Sequence, residues 1–137
     1  MTDIHECARR LTWSGGTHVF NLADQTVLGI IAGRRDIPLP TLLTMRGYGM
    51  GTKNILDGQF GDTVGAALQR FDQSVYSTTD IEHIILLGLI GARELPVQEC
   101  VDLVDRYVVA KPLLPNAQTA YEILSGLFVG KPMTAEV

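Results

Sequence analysis

The residues that look most able to do chemistry lie in a glycine-rich segment, residues 47–53, which reads GYGMGTK. Alternating glycines followed by Thr52 and Lys53 suggest a loop whose backbone amides hold a phosphate group. A true phosphate-binding loop places Lys before Ser or Thr, after a buried strand and before a helix. Here Thr52 precedes Lys53 and the residues before the segment are helical in pattern, so the sequence favours a flexible loop over a nucleotide site.

Histidine and cysteine are too scattered to predict a metal site. His5 and Cys7 stand two residues apart near the amino terminus, and His18 falls in a predicted hairpin. Among the neighbours of His83 within one helical turn, only Asp80 could act as a second ligand. A structural zinc site needs four ligands, usually in closely spaced pairs. We therefore predict no metal and no other cofactor.

Nucleophilic catalysis would require a cysteine with a histidine and an orienting acid nearby. Cys100 and His83 could meet across two packed helices, but Cys100 falls on an apolar helical stripe, where a thiol behaves as a small hydrophobe. Asp102 and Asp105 lie one turn apart on a face that reads as solvated. We predict no catalytic residue, no enzymatic activity and two reduced thiols in a reducing compartment.

The composition argues against nucleic acid and membrane as partners. Fifteen acidic residues against eleven basic ones give a net charge of −4, which on average repels phosphate and anionic lipid. A helix-turn-helix reading of residues 80–91 and 96–110 fails because the outward residues of the second helix are mostly acidic. The longest apolar run, residues 84–91, is about half of the roughly 18 residues that a span needs. Residues 1–10 carry no secretory signal, so we expect a soluble cytoplasmic protein.

The first half of the chain predicts a hairpin and short helices. Residues 9–22 contain two short apolar-alternating runs joined by a turn at Gly15 and Gly16, since glycines accept positive φ at no steric cost. A short helix should follow from Asp24 and end at Gly33. Pro40 can open a second short helix through Met45, which completes a segment of short helices over 24–46. Residues 47–61 predict a mobile loop, with at most one helical turn at 54–56.

The second half predicts a helical bundle over residues 62–130. The expected caps are Asp62 for one helix and a Thr79–Glu82 capping box for the next. The latter helix, apolar on all sides from residue 81 to 90 and stopped by Gly91, should lie at the centre of the core. Two amphipathic helices should follow, one begun by Pro96 with a stripe through residues 97–108, and one capped by Asn116 and ending at Gly130.

These elements predict a mainly α chain of the α+β class, folded as one domain over residues 1–137. An N-terminal β-hairpin is followed by about five or six helices, and the last three form the stable bundle.

The order of these segments resembles one family. The hairpin LTWSGGTHVFNL, the apolar helix TTDIEHIILLGLIGA and the segment CVDLVDRYVVAKPLLPNAQTAYEIL resemble the small tail proteins encoded in gene transfer agents and related phages. That family is grouped with phage tail assembly chaperones and is also described as tail tube proteins. The likeness covers residues 9–128 and depends on pattern and segment order. The glycine-rich stretch 47–61 is longer than the family leads one to expect.

The resemblance implies a non-enzymatic tail assembly chaperone in the host cytoplasm. Such a protein would bind the tail tape-measure protein, keep its apolar helices soluble and help recruit the major tail protein. As a hypothesis, the partner surface comprises the 47–61 loop and the hairpin edge. The hairpin edge can accept a strand, and Tyr48 and Met50 of the loop can repack together with the preceding Met45. A homo-oligomer is also possible.

Two other classes remain open. One is a structural tail subunit that stays in the particle, although a tube protein should contain more strands than this chain predicts. The other is a small enzyme of unrecognised type, which a pocket with a converging histidine and carboxylate would support.

Overall fold

The computed structural model describes residues 5–33 and 54–130 of the chain. In these two ranges a two-stranded antiparallel hairpin is followed by five helices, so the predicted class and element order are confirmed. The strands and helices are β1 (Arg9–Trp13), β2 (Gly16–Phe20), α1 (Gln25–Ile31), α2 (Val64–Asp72), α3 (Thr78–Ala92), α4 (Val97–Tyr107) and α5 (Leu113–Val129). The short helix predicted at 40–45 lies outside the described residues.

The hairpin turn is Ser14–Gly15 and not the predicted Gly15–Gly16. Trp13 pairs with Gly16, and Ser14 and Gly15 have φ of 57° and 80°, the combination required by a two-residue turn of type I′. Gly16 belongs to β2. This register places Trp13 and Phe20 on one face, where their rings make an edge contact at 5.7 Å, and a slip by one residue would turn them to opposite faces.

Helix α3 forms the centre of the structure, as its apolar sequence predicts. Its buried residues include Ile81, Ile84, Leu87 and Leu89, and it packs against β2, α1, α4 and α5. The predicted stop at Gly91 is wrong, because α3 continues to Ala92 and ends at Arg93, which has a left-handed φ of 58°.

Gly91 instead allows the chain after β2 to approach α3. A Cβ at this position would lie 1.8 Å from the carbonyl oxygen of Asn21, far inside van der Waals contact. The approach is secured three residues earlier, where the Asn21 N–H donates to the Gly88 carbonyl at 2.9 Å. Gly91 is therefore a packing residue of the hairpin–helix contact.

Two helices are capped by residues next to the predicted ones. The cap of α2 is Thr63, whose hydroxyl accepts from the Ala66 N–H, while Asp62 accepts from the Asn54 side chain. The capping box of α3 pairs Ser77 with Asp80 and not Thr79 with Glu82. Since both spacings satisfy the same motif, the tertiary contacts of Asp80, described below, decide which one forms.

Helices α4 and α5 pack against α3, and α4 does so through its predicted apolar stripe. Cys100, Val101 and Val104 of α4 are buried, and Pro96 stands at its N-cap. Asn116 is not the cap of α5, which begins at Leu113 after Pro112.

The Asn116 side chain is buried and links three elements. Its amide oxygen accepts from Trp13 Nε1 at 2.9 Å, and its amide nitrogen donates to the Tyr107 carbonyl at 3.0 Å. One side chain thereby ties α5 to β1 and to the end of α4.

None of the helices in the two described ranges has the length and apolar character needed to cross a membrane.

Candidate functional site

The sequence-derived candidates for metal binding do not converge. His5 accepts from the Cys7 N–H through Nδ1 at 3.0 Å, which makes the pair a local turn contact. His18 bonds to Ser14 at 3.1 Å within the hairpin. In residues 5–33 and 54–130 there is no group of three or more His, Cys, Asp or Glu side chains that could hold a metal ion. The glycine-rich residues 47–53 lie outside the described part of the chain.

His83 and Asp80 are directed to different partners. His83 Nδ1 contacts the Ile55 carbonyl oxygen, and this imidazole is half-buried. Asp80 is buried, and both of its carboxylate oxygens accept hydrogen bonds from Arg70. The Asp80–His83 pair therefore does not present two open ligands.

Cys100 is an inert core thiol, as its position on the apolar stripe predicted. Its side chain is fully buried, and burial, with a smaller contribution from Glu99, raises the pKa of the thiol to about 11. Because the thiolate is the nucleophile in cysteine chemistry, Cys100 is unsuited to catalysis at neutral pH.

A cluster that sequence reasoning missed is built on Arg70, which is only 1% exposed. Its Nε and Nη2 donate to the two oxygens of Asp80 at 2.8 and 2.7 Å. Nη2 also donates to the Leu56 carbonyl, and Nη1 donates to the carbonyls of Gln59 and Gly61. These contacts use all five N–H donors of a guanidinium.

Arg70 thereby fixes residues 54–61, which the sequence predicted to be mobile. Leu56 is fully buried, Gly58 and Gly61 exchange backbone hydrogen bonds, and a Cβ at Gly58 would lie 2.9 Å from the guanidinium carbon. A buried cation thus binds three carbonyls of this part of the loop, and its expected mobility stays a prediction. The only signal in the sequence was an arginine on the apolar side of α2, between Leu68 and Phe71.

The feature of the described surface most suited to binding is an apolar stripe along α5, formed by Leu114, Tyr121 and Phe128. These side chains are 62%, 39% and 47% exposed. They recur every seven residues, so they lie on one face of the helix with a drift of about 20° per step. The residues between them on this face, Gln118 and Ser125, are polar and uncharged.

The α5 helix is poor in charge for a helix at the surface. Glu122 is the single charged residue in Leu113–Val129, yet Leu113 and Val129 are exposed in addition to the stripe. Depletion of charge together with exposed aromatic and aliphatic side chains is typical of the buried part of a protein–protein interface.

A groove of about 590 Å³ runs beside the first half of the stripe, between α5 and the end of α2. Its apolar lining includes Leu114 and Tyr121 on one side and Phe71 and Tyr76 on the other. The rings of Phe71 and Tyr76 are stacked at 4.8 Å, which makes this wall rigid. The stripe and this groove together form a candidate binding surface, the α5 surface.

The rim of the groove is acidic. Asp72 and Glu122 line it, with Ser74 and Gln118 as neutral polar neighbours. A hydrogen bond from the Tyr121 hydroxyl to the Asp72 carboxylate, reinforced by the charge of Asp72, raises the pKa of the Tyr121 phenol. The groove therefore combines an apolar floor with a negative edge, a combination that suits an amphipathic segment carrying basic residues.

A second groove of about 690 Å³ lies on the other side of α5, against the hairpin. Trp13, Ser14, Tyr107 and Asn116 are among its lining residues. Trp13 makes edge contacts with His18 and Tyr107 at 5.4 and 5.9 Å, and its indole N–H is already bonded to Asn116. The indole N–H is therefore already paired, and the other polar side chains that line this groove include Lys111, Gln118, Thr119 and Glu122.

Comparison of the chain with models of protein families, with curated protein sequences and with solved structures gives no match.

Proposed function

We propose that this protein is a non-enzymatic phage-like tail assembly protein, a chaperone that binds an apolar helix of the tail tape-measure protein. It would work in the cytoplasm of the bacterial host and present the bound partner to the major tail protein. The partner names come from the resemblance of the hairpin and of the segments around α3, α4 and α5 to the small tail proteins of gene transfer agents.

The observation that carries this proposal is the stripe of Leu114, Tyr121 and Phe128. Its seven-residue spacing matches the repeat by which one α-helix packs along another, and it extends over about 21 Å of helix. Recognition of an amphipathic helix in an apolar groove uses anchors with this kind of spacing. The acidic residues Asp72 and Glu122 favour basic side chains on the flank of the bound helix.

The hypothesis from the sequence placed the partner surface on the 47–61 loop and the hairpin edge. Met45, Tyr48 and Met50, which were expected to repack, lie outside the described residues. Within 54–61 the backbone is held by Arg70, which limits its capacity to adapt. We therefore place the helix-binding site on α5, with the hairpin edge left as a possible second contact.

The test is co-expression with a helical fragment of a phage-type tail tape-measure protein. We expect the fragment to be soluble only when this protein is present and to co-purify with it. Leu114→Ser should reduce the recovered complex at least tenfold, because it removes the most exposed apolar side chain of the groove. Leu113→Ser is the matched control, since Leu113 is also exposed but points about 100° away on α5.

Equal solubility of the fragment with and without this protein would overturn the chaperone proposal. Finding the protein by mass spectrometry in purified particles, in stoichiometric amount, would favour the retained tail subunit instead.

A further inference from the structure

We infer that the α5 surface selects a helix that carries an arginine, whose guanidinium lies against the Tyr121 ring between the carboxylates of Asp72 and Glu122. This inference rests on the proposed function, since it names the side chain that the bound helix must carry. It starts from the make-up of the groove, in which aromatic rings and two carboxylates line the same space.

Tyr121 lies between the two carboxylates of the groove. Asp72 is the last residue of α2, on one wall, and Glu122 follows Tyr121 on α5. Both charges act on the phenol, and Asp72 also accepts its hydrogen bond. Because the Tyr121 side chain is exposed, a cation from a partner can contact the ring and meet a negative charge on each side.

This negative edge has no cation of its own in the described part of the chain. The ion pairs formed there belong to Arg70 and Arg93, so neither Asp72 nor Glu122 has a basic partner among the described residues. Asp72 also stands at the C-terminal end of α2, where the helix dipole disfavours a negative charge. A carboxylate that is unfavourable for its own helix and open to solvent is suited to neutralisation by a partner.

The groove favours a guanidinium over an ammonium group. A guanidinium is planar, so it can stack on an aromatic ring while its N–H groups donate to carboxylates at its edge. The stacked rings of Phe71 and Tyr76 extend the aromatic lining, and Ser74 and Gln118 add neutral acceptors. A lysine ammonium can pair with a carboxylate but cannot stack as a plane. We therefore expect arginine to bind more tightly than lysine.

The apolar stripe assigns this cation to a helix and not to a free small molecule. Leu114 and Phe128 lie seven residues before and after Tyr121, so a helix that follows the stripe finds an apolar contact on either side of its arginine. In the partner, the arginine should therefore have apolar residues about seven positions away in both directions.

The experiment uses three designed amphipathic peptides of about 20 residues, long enough to be helical on the α5 surface. They differ at one central flanking position, which is arginine, lysine or citrulline, the neutral analogue of arginine with nearly the same shape. Fluorescence anisotropy with the purified protein measures each dissociation constant. We expect the arginine peptide to bind about tenfold more tightly than the citrulline peptide, with the lysine peptide between them.

Substitutions in the groove identify the carboxylates responsible. Asp72→Asn and Glu122→Gln should each reduce the advantage of arginine over citrulline to about threefold or less, with binding of the citrulline peptide unchanged. Asp102→Asn is the matched control, since it removes the same charge from an exposed position on α4, and it should keep the full preference.

Equal binding of the three peptides would overturn the arginine site while leaving helix binding by the α5 surface intact. An equal loss of preference in Asp102→Asn would assign the effect to net charge and would also overturn the site. Binding of none of the peptides would contradict helix binding, and a ligand without a helix then decides the arginine site.

That ligand is N-acetylarginine amide, added to the protein in an NMR titration. We expect it to shift the resonances of Tyr121 and Ser74, and we expect Asp72→Asn to abolish these shifts. N-acetylcitrulline amide, which lacks the charge, should leave the resonances in place. If no peptide binds and the arginine compound gives no shift at Tyr121, the arginine site is overturned together with helix binding.

Discussion

Arg70 and Asp80 form a bidentate ion pair between α2 and α3, with donor–acceptor distances of 2.8 and 2.7 Å. The pair is almost completely buried, with side chains 1% and 3% exposed. Asp80 also accepts from the Ser77 N–H and so completes the capping box of α3. One ion pair thus fixes the start of α3, the end of α2 and the loop carbonyls bonded to Arg70.

Removal of either partner should destabilise the protein strongly. We expect Arg70→Met to cost about 3–5 kcal/mol in the free energy of unfolding, because Asp80 would remain as a buried unpaired charge. Urea denaturation measures this loss, and limited proteolysis should then cut within residues 54–61.

The control for Arg70 is the exposed ion pair of Arg93 with Asp24, at 2.6 Å. Arg93 is 63% exposed, so solvent screens this pair and Arg93→Ala should destabilise the protein much less than Arg70→Met. Comparable costs for the two variants would show that burial does not determine the importance of the Arg70 pair.

Two helical glycines should respond in opposite directions to substitution by alanine. Gly91→Ala brings a Cβ to 1.8 Å from the Asn21 carbonyl oxygen, so the hairpin must move away from α3, and we expect a loss of about 2–3 kcal/mol. Gly65→Ala, on the exposed side of α2, meets only the Thr63 hydroxyl at 3.8 Å, and should stabilise by up to about 1 kcal/mol. Thermal unfolding of both variants is the measurement, and a neutral Gly91→Ala would refute the close-approach role.

Phe60 is held in a conformation that favours glycine, with φ of 73°, and its side chain is 46% exposed. We expect Phe60→Gly to raise the free energy of unfolding by about 0.5–1 kcal/mol, since relief of strain outweighs the small loss of buried area. Phe128→Gly, with similar exposure in the last turn of α5, should destabilise by about 1 kcal/mol. A decrease in stability for Phe60→Gly would show that the ring packs more tightly than its exposure indicates.

The raised pKa of Cys100 predicts that the protein loses stability in alkaline solution. Its pKa is raised from 9.0 to about 11 in the folded protein, so the unfolded chain releases the thiol proton first. The contribution of the Cys100 thiol to the free energy of unfolding is fully present below about pH 9 and is lost as the pH rises through 11. The free energy of unfolding, measured by urea denaturation, should decrease less between pH 8 and pH 10 for Cys100→Ala than for the unsubstituted protein.

Thiol labelling provides an independent check of the burial of Cys100. At pH 8 in the folded state, Cys7 should react with a thiol reagent while Cys100 stays unlabelled until denaturant is added. Rapid labelling of Cys100 under native conditions would contradict its assignment as an inert core thiol.

Much of the fold could be predicted from the sequence because its signals are local. The continuous apolar run at 81–90 predicted the central helix. The stripe through Cys100, Val101 and Val104 predicted the amphipathic helix α4, which packs against it. Glycine tolerates positive φ, and Gly15, Gly33 and Gly130 have positive φ at a turn and at two helix ends, where the sequence indicated them. The caps were less certain, because Ser77 and Thr79 each precede an acidic residue by three positions and local spacing cannot choose between them.

The sequence by itself determined the elements, their order and the central position of α3, since periodicity, turns and caps depend on residues within about four positions of one another. Only the tertiary structure decided the partners of Arg70, the approach of Asn21 to Gly91 and the bond from Trp13 to Asn116, which are 103 residues apart. It also decided that Leu114, Tyr121 and Phe128 stay exposed while Ala117, Ala120 and Leu124 of the same helix are buried. An apolar residue on a helix can face the core or a partner, and the choice depends on which side of the helix the rest of the chain covers.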